Sequence, residues 1–261
     1  MPDKPNFILV PYDDEDKGTS RSALSFVGRI RSLVTSAVAA LPFRAAASAI
    51  PVPDTTASPP GRPRLVFGFD ATASREPAWE AARHVTDALV RALPGELDVA
   101  LAVHGGSVLH TFTEFTPNPN TLRDWAASIT CRAGFTRLLA ILERAIATPR
   151  VRVVTYIGDV YEESPSRGRR LADEMGSRGI KLFVLHDVAD WNARRDAEMF
   201  LDLARRTGGC VLPFDAAAPD RLRELLGAVA VYAVGGTKLL REKSGTLPGA
   251  LVLMERLDKG R

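Results

Sequence analysis

From residue 64 onward, short apolar runs alternate with stretches whose apolar positions recur every three or four residues, and that alternation limits the chain to few architectures. The first run, Leu65-Val66-Phe67-Gly68-Phe69, holds no polar side chain and stops at Asp70. A strand that is apolar at every position is buried on both faces, as in a parallel sheet covered by helices on each side. From Glu76 to Leu93 the positions Trp79, Ala82, Val85, Leu89 and Leu93 make one stripe, which predicts a single helix with Pro77 in its first turn. Leu97 to Val103 and Val108 to Phe115 read as two strands joined through His104-Gly105-Gly106-Ser107. Glycine permits the positive φ of a tight hairpin there, so this pair is expected to be antiparallel.

The alternation continues to the C-terminal region. Leu122 to Ile129 and Leu138 to Ile146 read as helices, Val151 to Ile157 as a β-branched strand, and Arg167 to Arg178 as a helix ended by Gly179. Ile180 to Leu185, Ala193 to Arg206, Cys210 to Pro213 and Pro219 to Val234 then give strand, helix, strand and helix. The expected fold is α/β, a doubly wound, Rossmann-like and mostly parallel sheet with one antiparallel edge strand and helices on both faces.

Four segments follow from the same reading. Residues 1–50 form an N-terminal extension with a helix near Ser20 to Leu41 and a short edge strand at Phe7 to Val10. Residues 51–63, within IPVPDTTASPPGRP, form a linker whose prolines block regular hydrogen bonding. Residues 64–234 form the α/β domain. Residues 235–261 are a C-terminal extension whose basic residues Lys238, Arg241 and Lys243 and apolar run Leu251 to Met254 suit an added strand or a partner contact.

Composition narrows the function classes. With 46% hydrophobic residues in 261, the chain can bury a sizeable core. The 34 basic and 31 acidic residues leave a formal charge of +3 and are scattered, so nucleic acid is not an expected partner. The arginines Arg167, Arg169, Arg170, Arg194 and Arg195 lack an interleaved aromatic stripe and read as solvated or paired. Two cysteines, Cys131 and Cys210, make neither a disulfide framework nor a zinc pattern and fit a reducing cytoplasm. Asp13, Asp14, Glu15 and Asp16 reverse the basic start of a secretory signal. Ser32 to Pro42 falls short of the roughly 20 residues a membrane span needs.

In a sheet of this kind, ligands bind beyond the carboxyl ends of the strands, where strand order reverses. Two strands end in aspartate, giving Asp70-Ala71-Thr72-Ala73-Ser74 and Gly158-Asp159, and between them Gly134-Phe135-Thr136 stands just ahead of a helix. Asp70, Thr72, Ser74, Thr136 and Asp159 offer carboxylates and hydroxyls without imidazole or thiolate. Such hard ligands suit Mg²⁺ or Mn²⁺ better than zinc. Each has a plainer reading: Thr72, Ser74 and Thr136 as helix caps and Asp159 as a loop residue. Glu162 and Glu163 read as solvated loop charges, the alternatives being that one of them contacts the ligands from behind or is itself an internal ligand to the metal. Trp79 and Trp125 read as core, and Trp191 as a loop residue open to a contact surface. His84, His104, His110 and His186 form no catalytic pattern and read as structural.

At these residues, from about Arg64 to Val234, the chain resembles the von Willebrand factor A (VWA) family of the intracellular bacterial type. That family's metal-ion-dependent adhesion site (MIDAS) combines D-x-S-x-S with a later threonine and a later aspartate. Thr72 stands where serine is commoner and keeps the hydroxyl. The resemblance implies a six-stranded sheet, a bound Mg²⁺ and a partner whose Asp or Glu completes the metal's coordination. It also implies no catalysis, and adaptor roles in multi-protein machines, some driven by ATPases. The enzyme alternative is a Mg²⁺-dependent phosphatase or phosphotransferase of the haloacid dehalogenase type. It needs a second aspartate where Thr72 stands. A VWA scaffold without metal is the third reading.

Overall fold

A computed structural model of the chain describes residues 61–72, 76–83, 85–187, 191–215 and 218–259. The chain divides into two compact units, Met1–Pro51 and Val52–Arg261. The expectations for the strand at Phe7 to Val10, the acidic run at Asp13, the helix at Ser20 to Leu41 and most of the linker lie outside the described residues, as does Ser74.

Six strands, β1 (Arg64–Asp70), β2 (Asp98–Gly105), β3 (Val108–Phe112), β4 (Val151–Gly158), β5 (Lys181–Asp187) and β6 (Cys210–Phe214), form one sheet in the order β3-β2-β1-β4-β5-β6. All neighbours are parallel except β2 and β3, which pair antiparallel. The expected doubly wound sheet with one antiparallel edge is therefore what the chain forms. Winding reverses between β1 and β4.

The sheet separates two apolar chambers because side chains alternate across a strand. Leu65, Phe67 and Phe69 of β1, with Phe183 and Leu185 of β5, enter one cluster; Val66, with Val154 and Tyr156 of β4, enters the other. The first chamber is covered by α1 (Glu76–Arg83), α2 (Ala88–Arg91), α3 (Pro119–Ala127), α7 (Pro219–Lys243) and α8 (Pro248–Lys259), the second by α4 (Leu138–Ala147), α5 (Pro165–Ser177) and α6 (Trp191–Thr207).

Four readings depart from expectation. The helix expected from Glu76 to Leu93 breaks after Arg83. The bonds Val85 N–H to Ala82 C=O and Ala88 N–H to Val85 C=O close tight turns, and the Thr86 hydroxyl takes the Arg83 carbonyl. Adjacent β-branched Val85 and Thr86 crowd a continuous helix, yet Val85, Leu89 and Leu93 remain buried. Helix α7 does not end at Val234: it continues to Lys243 through a non-helical Gly236 (φ 61°, ψ −156°). The segment beyond Gly235 is helical and adds no strand, with Leu253 and Leu257 of α8 packed into the first chamber. Trp191, expected in a loop, begins α6.

Local capping is legible in α3. Asn118 accepts from the N–H groups of Asn120 and Thr121, with Pro119 in the first turn. Asn118→Ala is expected to lower stability by about 1 kcal/mol, read as a fall of roughly 2–4 °C in thermal melting. An unchanged melting temperature would show that solvent replaces the cap without loss.

Candidate metal centre

The crevice beyond the carboxyl ends of β1 and β4 gathers three loops. Asp70 is the last residue of β1 and only 1% exposed. Its Oδ1 accepts the Thr72 N–H at 3.0 Å, so the carboxylate folds the chain back over itself and keeps Thr72 buried beside it. Asp159 follows Gly158 on the neighbouring strand; the paired register of β1 and β4 runs to Phe69 and Ile157, so the two aspartates leave adjacent strand ends. The buried His186 donates from Nε2 to the Asp159 carbonyl at 3.0 Å, which ties the start of that loop to β5.

Thr136 belongs to the loop ahead of α4 and is 3% exposed. Arg132 N–H donates to the Ala71 carbonyl at 2.8 Å, and Ala71 N–H to the His104 carbonyl at 2.8 Å. The loop ahead of α4 is thereby hydrogen-bonded to the residue between Asp70 and Thr72. It also reaches the loop after β4: Thr136 N–H donates to Glu162 Oε2 at 3.0 Å, Glu162 N–H to the Thr136 hydroxyl at 3.3 Å, and Leu139 N–H to Glu163 Oε2 at 2.8 Å. Glu162 and Glu163 are therefore not simply solvated: Glu162 accepts the Thr136 N–H just ahead of α4, and Glu163 accepts the Leu139 N–H in its first turn, where a helix leaves such donors without partners. Burial pushes the Glu163 carboxyl up, against the pull of the Leu139 N–H.

The rim of the crevice is partly apolar. Phe135 is 61% exposed and Val108 is 55% exposed. Their loops are joined by Phe135 N–H donating to Ser107 Oγ at 2.9 Å and by Arg137 Nε donating to the Ser107 carbonyl at 2.7 Å. Gly134, at φ 153°, sits so close to the hairpin that a Cβ there would lie 2.4 Å from Ser107 N.

Four of the five expected ligands, Asp70, Thr72, Thr136 and Asp159, thus stand on three loops at the point where the sheet's winding reverses, with the loop ahead of α4 hydrogen-bonded to each of the other two. Among the described residues, no three or more His, Cys, Asp or Glu side chains gather as a metal cluster. A site here would draw on two carboxylates and several hydroxyls. The separate groove of about 590 Å³ beside α5 and α6, lined in part by Tyr161, Arg169, Met199 and Asp202, carries none of the expected ligands. Of the arginines read as solvated or paired, Arg167 pairs with Glu143 and Arg169 with Asp202.

No protein-family model matches the chain, and no curated protein does. Solved structures do. A von Willebrand factor type A protein from Catenulispora acidiphila aligns with a TM-score of 0.53 at 15% identity, over 67% of this chain and 43% of that one. The fold is that of a von Willebrand factor A domain. Proximal thread matrix protein 1 from the mussel byssus aligns at 0.52 and 13% identity, over 65% of this chain and 46% of its own. The pilus adhesin SpaC of Lactobacillus rhamnosus GG aligns at 0.52 and 10%, over 68% and 30%. The chain spans less than half the length of these proteins. One structure of the byssus protein carries a zinc-occupied MIDAS motif.

Proposed function

We propose that the chain is a cytoplasmic adaptor that binds protein partners through a Mg²⁺-dependent adhesion site, and that it is not an enzyme. Asp70, Thr72, Ser74, Thr136 and Asp159 would hold the ion, and an Asp or Glu of the partner would complete its coordination. The observation that supports this most is that the loop ahead of α4 is hydrogen-bonded both to the loop after β1 and to the loop after β4, around the buried Asp70 and Thr136. Loops that fix each other present ligands with little ordering left to do on binding.

The residues fit the ion by their chemistry. Carboxylate and hydroxyl oxygens are the donors Mg²⁺ and Mn²⁺ favour, and a site with few charges leaves the metal electrophilic toward an outside carboxylate. Bound there, the ion would supply a positive charge that recognises an acidic side chain. The chain's own part is to fix Asp70 through Thr72 N–H, to hold Thr136 against Glu162, and to offer Phe135 and Val108 as apolar contacts at the rim. Thr72, where a dehalogenase-type phosphatase needs its second carboxyl, leaves that alternative without an acid. Among the described residues no helix is long and apolar enough to cross a membrane. Partner machines that include an ATPase belong to the same proposal.

The immobilised chain is expected to retain an acidic partner from lysate in Mg²⁺ and to release it in EDTA, with Asp70→Asn as the control that no longer distinguishes the two conditions. Equal retention in Mg²⁺ and EDTA would overturn the reading.

A further inference from the structure

The sheet register sets a histidine behind the first aspartate. His104 of β2 pairs with Asp70 of β1, and the two point to the same face of the sheet as Tyr156 of β4. The imidazole is wholly buried. Its Nε2 lies 2.8 Å from the Tyr156 hydroxyl, while its Nδ1 lies 3.7 Å from Asp70 Oδ1 and makes no hydrogen bond. Tyr156 reaches His104 across β1 because Gly68, paired with Ala102 on one side and Tyr156 on the other, has no side chain between them. A Cβ at Gly68 would press on Tyr156 Cδ2 at 3.2 Å.

We infer that His104 is a positioning residue for the Asp70 carboxylate, its Nδ1–H aimed at Oδ1 and its Nε2 accepting from Tyr156. This rests on the metal-site reading of Asp70. The polarity follows from the partners: a carboxylate can only accept, so the proton belongs on Nδ1, and the phenol then donates to Nε2. The separation of 3.7 Å is too long for a hydrogen bond. A carboxylate shift of less than about 1 Å would close it to an ordinary N–H···O length of roughly 2.9 Å. Thr72 N–H addresses the same oxygen, so an Nδ1–H drawn onto Oδ1 would act with it on the rotation of the carboxylate. Groups that orient a metal's ligands in this way typically change metal affinity by 10–100-fold when removed.

Two variants of the full chain separate positioning from packing. In His104→Asn the amide nitrogen takes the place of Nδ1, keeping a donor toward Asp70 and giving up Tyr156. In His104→Gln the amide reaches the place of Nε2, keeping Tyr156 and giving up Asp70. Calorimetric titration with Mg²⁺ is expected to leave His104→Asn within about threefold of wild type and to weaken His104→Gln by about 10–100-fold. Equal affinity in both, or equal weakening in both, would overturn the assignment. Long-range ¹H–¹⁵N spectra of the metal-free chain give a second readout: His104 protonated on Nδ1 supports the assignment, and protonation on Nε2 overturns it. Should the wild type take up no Mg²⁺, the metal reading fails, while the tautomer still decides the His104–Asp70 contact.

Discussion

Asp70→Ala is expected to remove Mg²⁺ binding by at least about 100-fold, below what calorimetry detects, and Asp159→Ala to do the same. Asp70 is the more informative position because its carboxylate has two tasks. It supplies a charge at the end of β1, and it accepts the Thr72 N–H that shapes the loop. Asp70→Asn keeps an acceptor for Thr72 and nearly the same volume while losing the charge, so it isolates the electrostatic task. If Asp70→Asn retains wild-type affinity, the carboxylate is a loop-former and not a ligand. Saturable binding in the wild type that both alanine variants abolish would establish the site. A wild type that binds neither Mg²⁺ nor Mn²⁺ would leave a metal-free VWA scaffold.

The second large effect is expected at a residue with no side chain. Gly134 has φ 153°, and an added Cβ would lie 2.4 Å from Ser107 N and 2.5 Å from Gly106 Cα. Those neighbours are backbone atoms of the β2–β3 hairpin, so no side-chain rotation relieves the clash. Gly134→Ala must therefore part the loop ahead of α4 from the hairpin. Backbone strain and overpacking together are expected to cost about 2–4 kcal/mol, a fall of roughly 5–15 °C in melting temperature. Thr136 lies two residues on and moves with the loop, so Mg²⁺ affinity is expected to fall by more than about 10-fold as well. A variant that melts like wild type would show that the hairpin gives way at no cost, and normal Mg²⁺ affinity with a lowered melting temperature would detach Thr136 from the ion.

The sheet was legible because its signal is local. The run from Leu65 to Phe69 and the β-branched run from Val151 declare buried strands without reference to anything distant, and the glycines at 105 and 106 declare the hairpin. Asp70 and Asp159 stood out for the same reason, each closing an apolar run. What escaped the sequence depends on contacts between elements. His104 and Tyr156 are 52 positions apart and meet only because β1 lies between their strands with Gly68 at the crossing; nothing adjacent to either residue announces the pair. Glu162 and Glu163 look like solvated charges until α4 and the loop ahead of it are placed, when the N–H groups of Leu139 and Thr136 supply partners. Gly235 and Gly236 look like the end of a helix by their chemistry. Here Gly236 bends the chain instead, because the apolar residues of α8 have a chamber to fill.

The two chambers differ in their reach toward Asp70. His104 and Tyr156 lie on the side of α4, α5 and α6, whereas Leu225 and Val229 of α7 and Leu253 of α8 lie on the other. The chamber under α7 and α8 can therefore be repacked with volume-conserving apolar residues at these positions without touching His104 or Tyr156. A sturdier chain made that way would keep its recognition surface intact for use as bait.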